Sequence, residues 1–116
     1  MTKNPIMQKK VPAHVAKLMS ELKDELSKIF GNILKAVYLY GSYARGDQRS
    51  GLDMDVMILL RDYKNYWEEL RRSTALAREL SLKYELTLSR LVIKELQREK
   101  SEMPVLRNIH EEGLPA

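Results

Sequence analysis

Apolar side chains recur at spacings of three and four along Val15, Leu18, Met19, Leu22, Leu26, Ile29 and Phe30. That period predicts an amphipathic helix with one buried face. Pro12 suits its first turn, where a missing N–H costs nothing. Gly31-Asn32 suits its end. Residues 1–12 are lysine-rich, carry Pro5 and Pro12 and show no periodicity, so they read as a flexible N-terminal arm. Residues 13–116 read as one domain.

The period then shortens. Ile33 to Tyr40 leads into a first strand, ending in the β-branched and aromatic run Val37-Tyr-Leu-Tyr40. Gly41 and Gly46 bracket a tight turn, and a polar span follows over Asp47–Gly51. Asp53-Met-Asp55-Val-Met-Ile-Leu-Leu60 is a second strand. Asp62 is placed to cap a long second helix whose inner stripe is Tyr63, Trp67, Leu70, Thr74, Ala77, Leu80 and Tyr84. Leu86 to Ile93 reads as a third strand, with Leu86, Leu88 and Leu91 on one side and Thr87 and Ser89 on the other. Lys94 to Lys100 is a short helical turn. Pro104 starts a last helix that carries Val105, Leu106, Ile109 and His110 and stops at Gly113 and Pro115. The order predicts an α+β fold: a small mixed β-sheet with helices packed on one face. The other face is left for Asp53, Asp55 and the Gly41-Ser42 turn.

Composition narrows the class. A chain of 116 residues that is 44% hydrophobic and 31% charged can bury a core of its own. It has no apolar run long enough to span a membrane. No cysteine is present, so disulfides and thiolate metal sites are excluded. The first residues carry no apolar leader, and with the cysteine count this gives a cytoplasmic expectation. His14 and His110 lack zinc spacing and are expected on helix surfaces. The net charge of +4 admits nucleic acid as a partner, but the basic residues are scattered among glutamates, which makes direct nucleic-acid binding the weaker expectation. Trp67 is expected as a core or interface anchor rather than a base-stacking platform.

The candidate chemistry lies between residues 41 and 55. Side chains alternate along a strand, so Asp53 and Asp55 point to the same face. Two adjacent carboxylates repel unless something positive sits between them. Hard oxygen ligands in this number suit Mg²⁺, which keeps its waters and takes one or two carboxylates plus substrate phosphates. Opposite them stand Gly41, Ser42 and Arg45. Backbone N–H groups, a hydroxyl and a guanidinium are what a polyphosphate needs.

Gly41-Ser42-x-x-Arg45-Gly46 followed by Asp53-x-Asp55 resembles the signature of the DNA polymerase β-like nucleotidyltransferase superfamily. The short chain is most similar to the minimal nucleotidyltransferases of prokaryotes, which act as antitoxins to HEPN-domain toxins. The resemblance implies catalysis and metal binding by Asp53 and Asp55. It implies phosphate binding by Gly41 and Ser42, with Arg45 near the phosphates and Gly46 permitting the turn. Arg49 could also reach phosphate. It further implies Mg²⁺ as cofactor, ATP as substrate and a HEPN-type toxin as partner. The reaction expected is transfer of AMP from ATP to a hydroxyl of that partner. One departure matters: active members place a third carboxylate on the following strand, and here that position is Ser89. Glu85 is the nearest acid but precedes the strand. A second reading therefore stands beside the first, a non-catalytic nucleotide-binding antitoxin that neutralises its partner by complex formation. An RNA-binding accessory role rests on the basic pI of about 9.3 alone.

Overall fold

The computed structural model describes residues 11–46, 53–100 and 104–116. The arm up to residue 10 and the polar span with Arg49 lie outside the described residues. Helix α1 runs over Ala13–Phe30, as its period predicts. Pro12 precedes it, and the Pro12 carbonyl accepts from Val15 and Ala16 N–H at 3.0 and 3.1 Å. Val11 is already buried in the core. A 3₁₀ turn over Gly31–Ile33 leads to β1, Leu34–Tyr40. The Gly41–Gly46 segment contains a single helical turn, α2, Ser42–Arg45. Strand β2 is Met54–Leu60. Helices α3, Tyr66–Arg72, and α4, Thr74–Tyr84, follow. Then come β3 Leu88–Lys94, α5 Glu95–Lys100, α6 Pro104–Glu112 and the short β4 Leu114–Pro115.

The four strands form one mixed sheet in the order β3-β2-β1-β4. β1 pairs antiparallel with β2 and with β4, while β2 pairs parallel with β3. This is the α+β architecture expected from the element order. One face carries Val37, Leu39, Met54, Val56, Ile58, Leu60, Leu88 and Val92 against the apolar stripe of α1 and against Leu76, Ala77 and Leu80 of α4. Burial of these side chains is the main force that holds α1 and α4 to the sheet. The second face is partly covered as well. Leu106 and Ile109 of α6 pack on Met57, Leu59 and Ile93, and Arg98 of α5 lies over the Tyr38 ring at 4.9 Å. That cover explains why β2 is apolar on both sides from Val56 onward. Among the described residues, the end of this face that holds the exposed Asp53 and the half-buried Asp55 lies beyond that apolar cover.

Four local expectations are corrected. The second helix is two helices, broken at Ser73. Arg90 on β3 points to the helix-covered face and is half-buried, so its guanidinium must find acceptors there. It donates to the Leu70 carbonyl at 2.9 Å and to Ser73 Oγ. Ser73 Oγ and Thr74 Oγ1 donate to the same carbonyl at 3.0 and 3.2 Å. The Leu70 carbonyl also accepts from Ser73 N–H at 3.2 Å, and burial lowers the Arg90 pKa. Asp62 does not cap α3: Asn65 does, accepting from Glu68 N–H at 3.1 Å. Asp62 instead accepts from its neighbour Tyr63 N–H at 2.8 Å. Trp67 is not in the core but 74% exposed, packed edge-on against Tyr66 at 5.2 Å between centroids. In β3, Leu91 shares the Ser89 side, because Leu88, Arg90 and Val92 take the other.

Candidate active site

The site is assembled by three neighbouring strands. In the antiparallel pair Tyr40 stands opposite Asp55, and in the parallel pair Ser89 stands opposite Asp55. Asp53, two residues before Asp55, falls on the same face. Its position is fixed by a hydrogen bond: Ser89 Oγ donates to Asp53 Oδ2 at 3.0 Å. Ser89 therefore does face the cleft with both aspartates, in the register the sequence predicts. Glu85 does not enter the site. It ends α4 in the left-handed conformation, φ 54 and ψ 46, and is exposed.

The Gly41 turn closes over this carboxylate pair. Gly41 has φ 72 and ψ −153, a region that essentially only glycine occupies. A Cβ on Gly41 would lie 2.5 Å from Asp55 Oδ2. Glycine is thus required twice over, by the backbone angle and by the carboxylate beside it. From Gly41 the chain makes α2, whose Tyr43 and Ala44 are buried in the core and anchor the turn. Ala44 and Arg45 N–H groups return to the Gly41 carbonyl at 3.1 and 3.2 Å. Gly46, at φ 79 and ψ 14, ends the turn in the left-handed conformation. Ser42 is half-buried and Arg45 is exposed.

Burial pushes the Asp55 carboxyl above the usual carboxylate range, Asp53 adds to the rise, and Arg45 opposes it. Burial, followed by the Asp55 charge, also raises the Tyr40 hydroxyl. Both shifts come first from burial and only second from the neighbouring carboxylate charge. Among the described residues no cluster of three or more Asp, Glu, His or Cys could hold a metal ion. Two carboxylates on one face, with Asp55 destabilised by its neighbour, nevertheless form a donor set that fits one Mg²⁺. That ion takes few protein ligands and completes its shell from water and substrate phosphate.

Sequence reasoning did not include the C-terminal side of the site. Arg45 Nη1 donates to Glu112 Oε2 of α6 at 3.5 Å. A pocket of about 450 Å³ opens there, lined by Ala44, Arg45, Glu111 and Glu112. No local pattern announces it, because α6 is brought to the site only by packing of Leu106 and Ile109 on the sheet. Tyr40 was legible as a strand residue, but its place beside Asp55 depends on register. His14 and His110 are both exposed on helices, as expected. No helix of the described residues is long and apolar enough to cross a membrane.

A Methanocaldococcus jannaschii relative, named as a candidate protein adenylyltransferase, is 34% identical over 80 residues, covering 69% of this chain and 80% of its own. A toxin–antitoxin structure with AMP-PNP superposes with a TM-score of 0.57 at 18% identity, over 82% of this chain and 69% of the matched one. A Sulfolobus solfataricus structure described as a candidate nucleotidyltransferase superposes at 0.52 with 20% identity, over 85% and 76%. At these identities the structural matches speak for the fold. The model of the nucleotidyltransferase domain family matches residues 19–114, which takes in the Gly41 turn, both aspartates and Ser89. The chain belongs to the nucleotidyltransferase domain family.

Proposed function

We propose that this protein transfers AMP from ATP to a hydroxyl of a HEPN-type partner protein and so acts as its antitoxin. The observation that carries the reading is the Gly41 turn set directly against Asp55, with Asp53 on the same face. A polyphosphate bound at Gly41 and Ser42 would lie beside the carboxylate pair. Support for adenylate as the group comes from the relative named for protein adenylyl transfer. Support for an antitoxin role comes from the fold shared with toxin–antitoxin structures.

In the proposed reaction the acceptor oxygen attacks the α-phosphorus of ATP. The bond from that phosphorus to the β-phosphate's bridging oxygen breaks, pyrophosphate leaves, and the hydroxyl proton passes to solvent or to the carboxylate pair. Asp53 and Asp55 would hold Mg²⁺, which supplies charge neutralisation at the phosphates. Gly41 and Ser42 bind phosphate oxygens through backbone and hydroxyl, Arg45 adds a cation, and Gly46 lets the turn close. Ser89 orients Asp53. Incubation with labelled ATP, Mg²⁺ and the HEPN-type partner tests the reading: label on the partner is expected, and none under any divalent metal would refute transfer.

A second reading is favoured by one observation. Where a third carboxylate would complete the set, the Ser89 hydroxyl is spent on Asp53. A protein of that kind would bind nucleotide and neutralise its partner by complex formation. Full neutralisation by the Asp53→Ala, Asp55→Ala double variant would select it.

A further inference from the structure

The most exposed aromatic surface, Trp67 beside Tyr66, has nothing around it that defines an occupant. The junction of α2 and α6 carries more. Arg45 stands between two sources of negative charge. On the site side it lies close enough to Asp55 to favour that group's ionised form. On the outer side it is ion-paired with Glu112, both side chains being about half exposed, at 44% and 43%. Glu111, next in chain to Glu112, lines the same pocket. Glu112 ends α6, and Gly113 N–H bonds back to the Ile109 carbonyl at 2.8 Å. That places the acid at the end of a helix whose apolar face is fixed on the sheet.

We propose that Glu112 sets the protein's affinity for nucleotide by holding Arg45 in an ion pair that the phosphate groups of the nucleotide must displace. This rests on the reading of Arg45 as a phosphate-binding residue. A guanidinium prefers a bidentate partner, and a polyphosphate oxyanion offers a better one than a single carboxylate oxygen at 3.5 Å. The nucleotide and Glu112 therefore compete for the guanidinium. Glu112 lowers nucleotide affinity by occupying Arg45. Glu112 acts here through Arg45 and touches no reacting atom, so it is a positioning residue.

The test is calorimetric titration of the full chain with Mg²⁺ and AMP-PNP at low salt, in a double-mutant cycle of Glu112→Gln and Arg45→Gln. Glu112→Gln should tighten binding on the order of threefold, the scale of a half-exposed ion pair. Arg45→Gln should weaken it, and in that background Glu112→Gln should have little further effect. Added salt should shrink the gain from Glu112→Gln. Unchanged or weaker binding in Glu112→Gln, with Arg45→Gln still weakened, overturns the proposal alone. Equal tightening in both backgrounds also overturns it, because Glu112 would then act on the nucleotide without Arg45. If Arg45→Gln leaves affinity unchanged, the underlying reading of Arg45 fails and the proposal falls with it. Far-UV circular dichroism of each variant checks that the helices persist.

Discussion

Gly41 is the residue on which the site geometry depends most. Alanine there would combine a backbone region that costs about 1–3 kcal/mol for a side-chain-bearing residue with a Cβ placed 2.5 Å from Asp55 Oδ2. Gly41→Ala should lose that much stability in urea unfolding and should also lose AMP-PNP binding, because Asp55 must move. Gly46→Ala is the control. Its φ is positive as well, yet its Cβ would meet nothing within 4 Å, so it should cost about 1 kcal/mol of stability and leave binding largely intact. Equal loss of binding in the two variants would mean that the contact at Asp55 is not what matters. Ser89 makes the complementary case. Replacing its hydroxyl by a carboxylate should allow a second metal ion with the nucleotide and speed transfer. A tenfold gain needs only about 1.4 kcal/mol at the transition state. Unchanged metal stoichiometry in Ser89→Asp would show that position 89 is not the place of the missing ligand.

At the scale of elements, α1 and α4 are clamped by more than their apolar faces. Tyr84 Oη donates to Glu21 Oε1 at 2.6 Å, and Lys83 Nζ lies 3.0 Å from both oxygens of the same carboxylate. The hydrogen bond from Tyr84, then that from Lys83, hold the Glu21 carboxyl below its usual value. Burial and the bond to Glu21 push the Tyr84 hydroxyl up to about 12. The signs differ. Glu21 contributes stability above its unfolded pKa, and this is lost as pH falls through the lowered folded value. Tyr84 contributes stability below its unfolded pKa, lost as pH rises through about 12. Tyr84→Phe should therefore cost about 1 kcal/mol near neutrality, and the gap to wild type should narrow in strong acid and again in strong base. A gap in urea unfolding that stays constant with pH would contradict the clamp.

The elements also show what the sequence made legible. Helix α1 was plain because its whole burial signal lies in one local period. The strands β1, β2 and β3 and the register that faces Ser89 toward Asp53 followed from alternation. The break at Ser73 did not: the groups that bond there include Arg90, seventeen residues away in sequence and met only through tertiary packing. The cap at Asn65 was readable in principle: Asn65-x-x-Glu68 is a capping-box pattern, and Asp62 drew attention from it. Trp67 was expected as a core or interface anchor because of its size, and its 74% exposure removes the core half of that reading. The cover of the second face was signalled only by the doubly apolar run after Asp55.

For the whole molecule, the sheet gives the site its shape and its limits. Helices α1 and α4 pack on one face, while α6 packs on the other and brings Glu112 to Arg45. At the other end of that face the three strands and the Gly41 turn bring Tyr40, Ser89 and the two aspartates together. The glycine turn and the paired aspartates were readable from spacing alone, because turn and strand chemistry are local. The α6 wall was not, because only tertiary packing brings it there. The most direct measurement is the intact mass of the HEPN-type partner after incubation with this protein, ATP and Mg²⁺. The account predicts a gain of one or more adenylate groups with wild type, lost with Asp53→Asn or Asp55→Asn, each of which removes a full negative charge from the metal-binding pair. A partner that stays unmodified yet is neutralised equally by wild type and by both variants would contradict it.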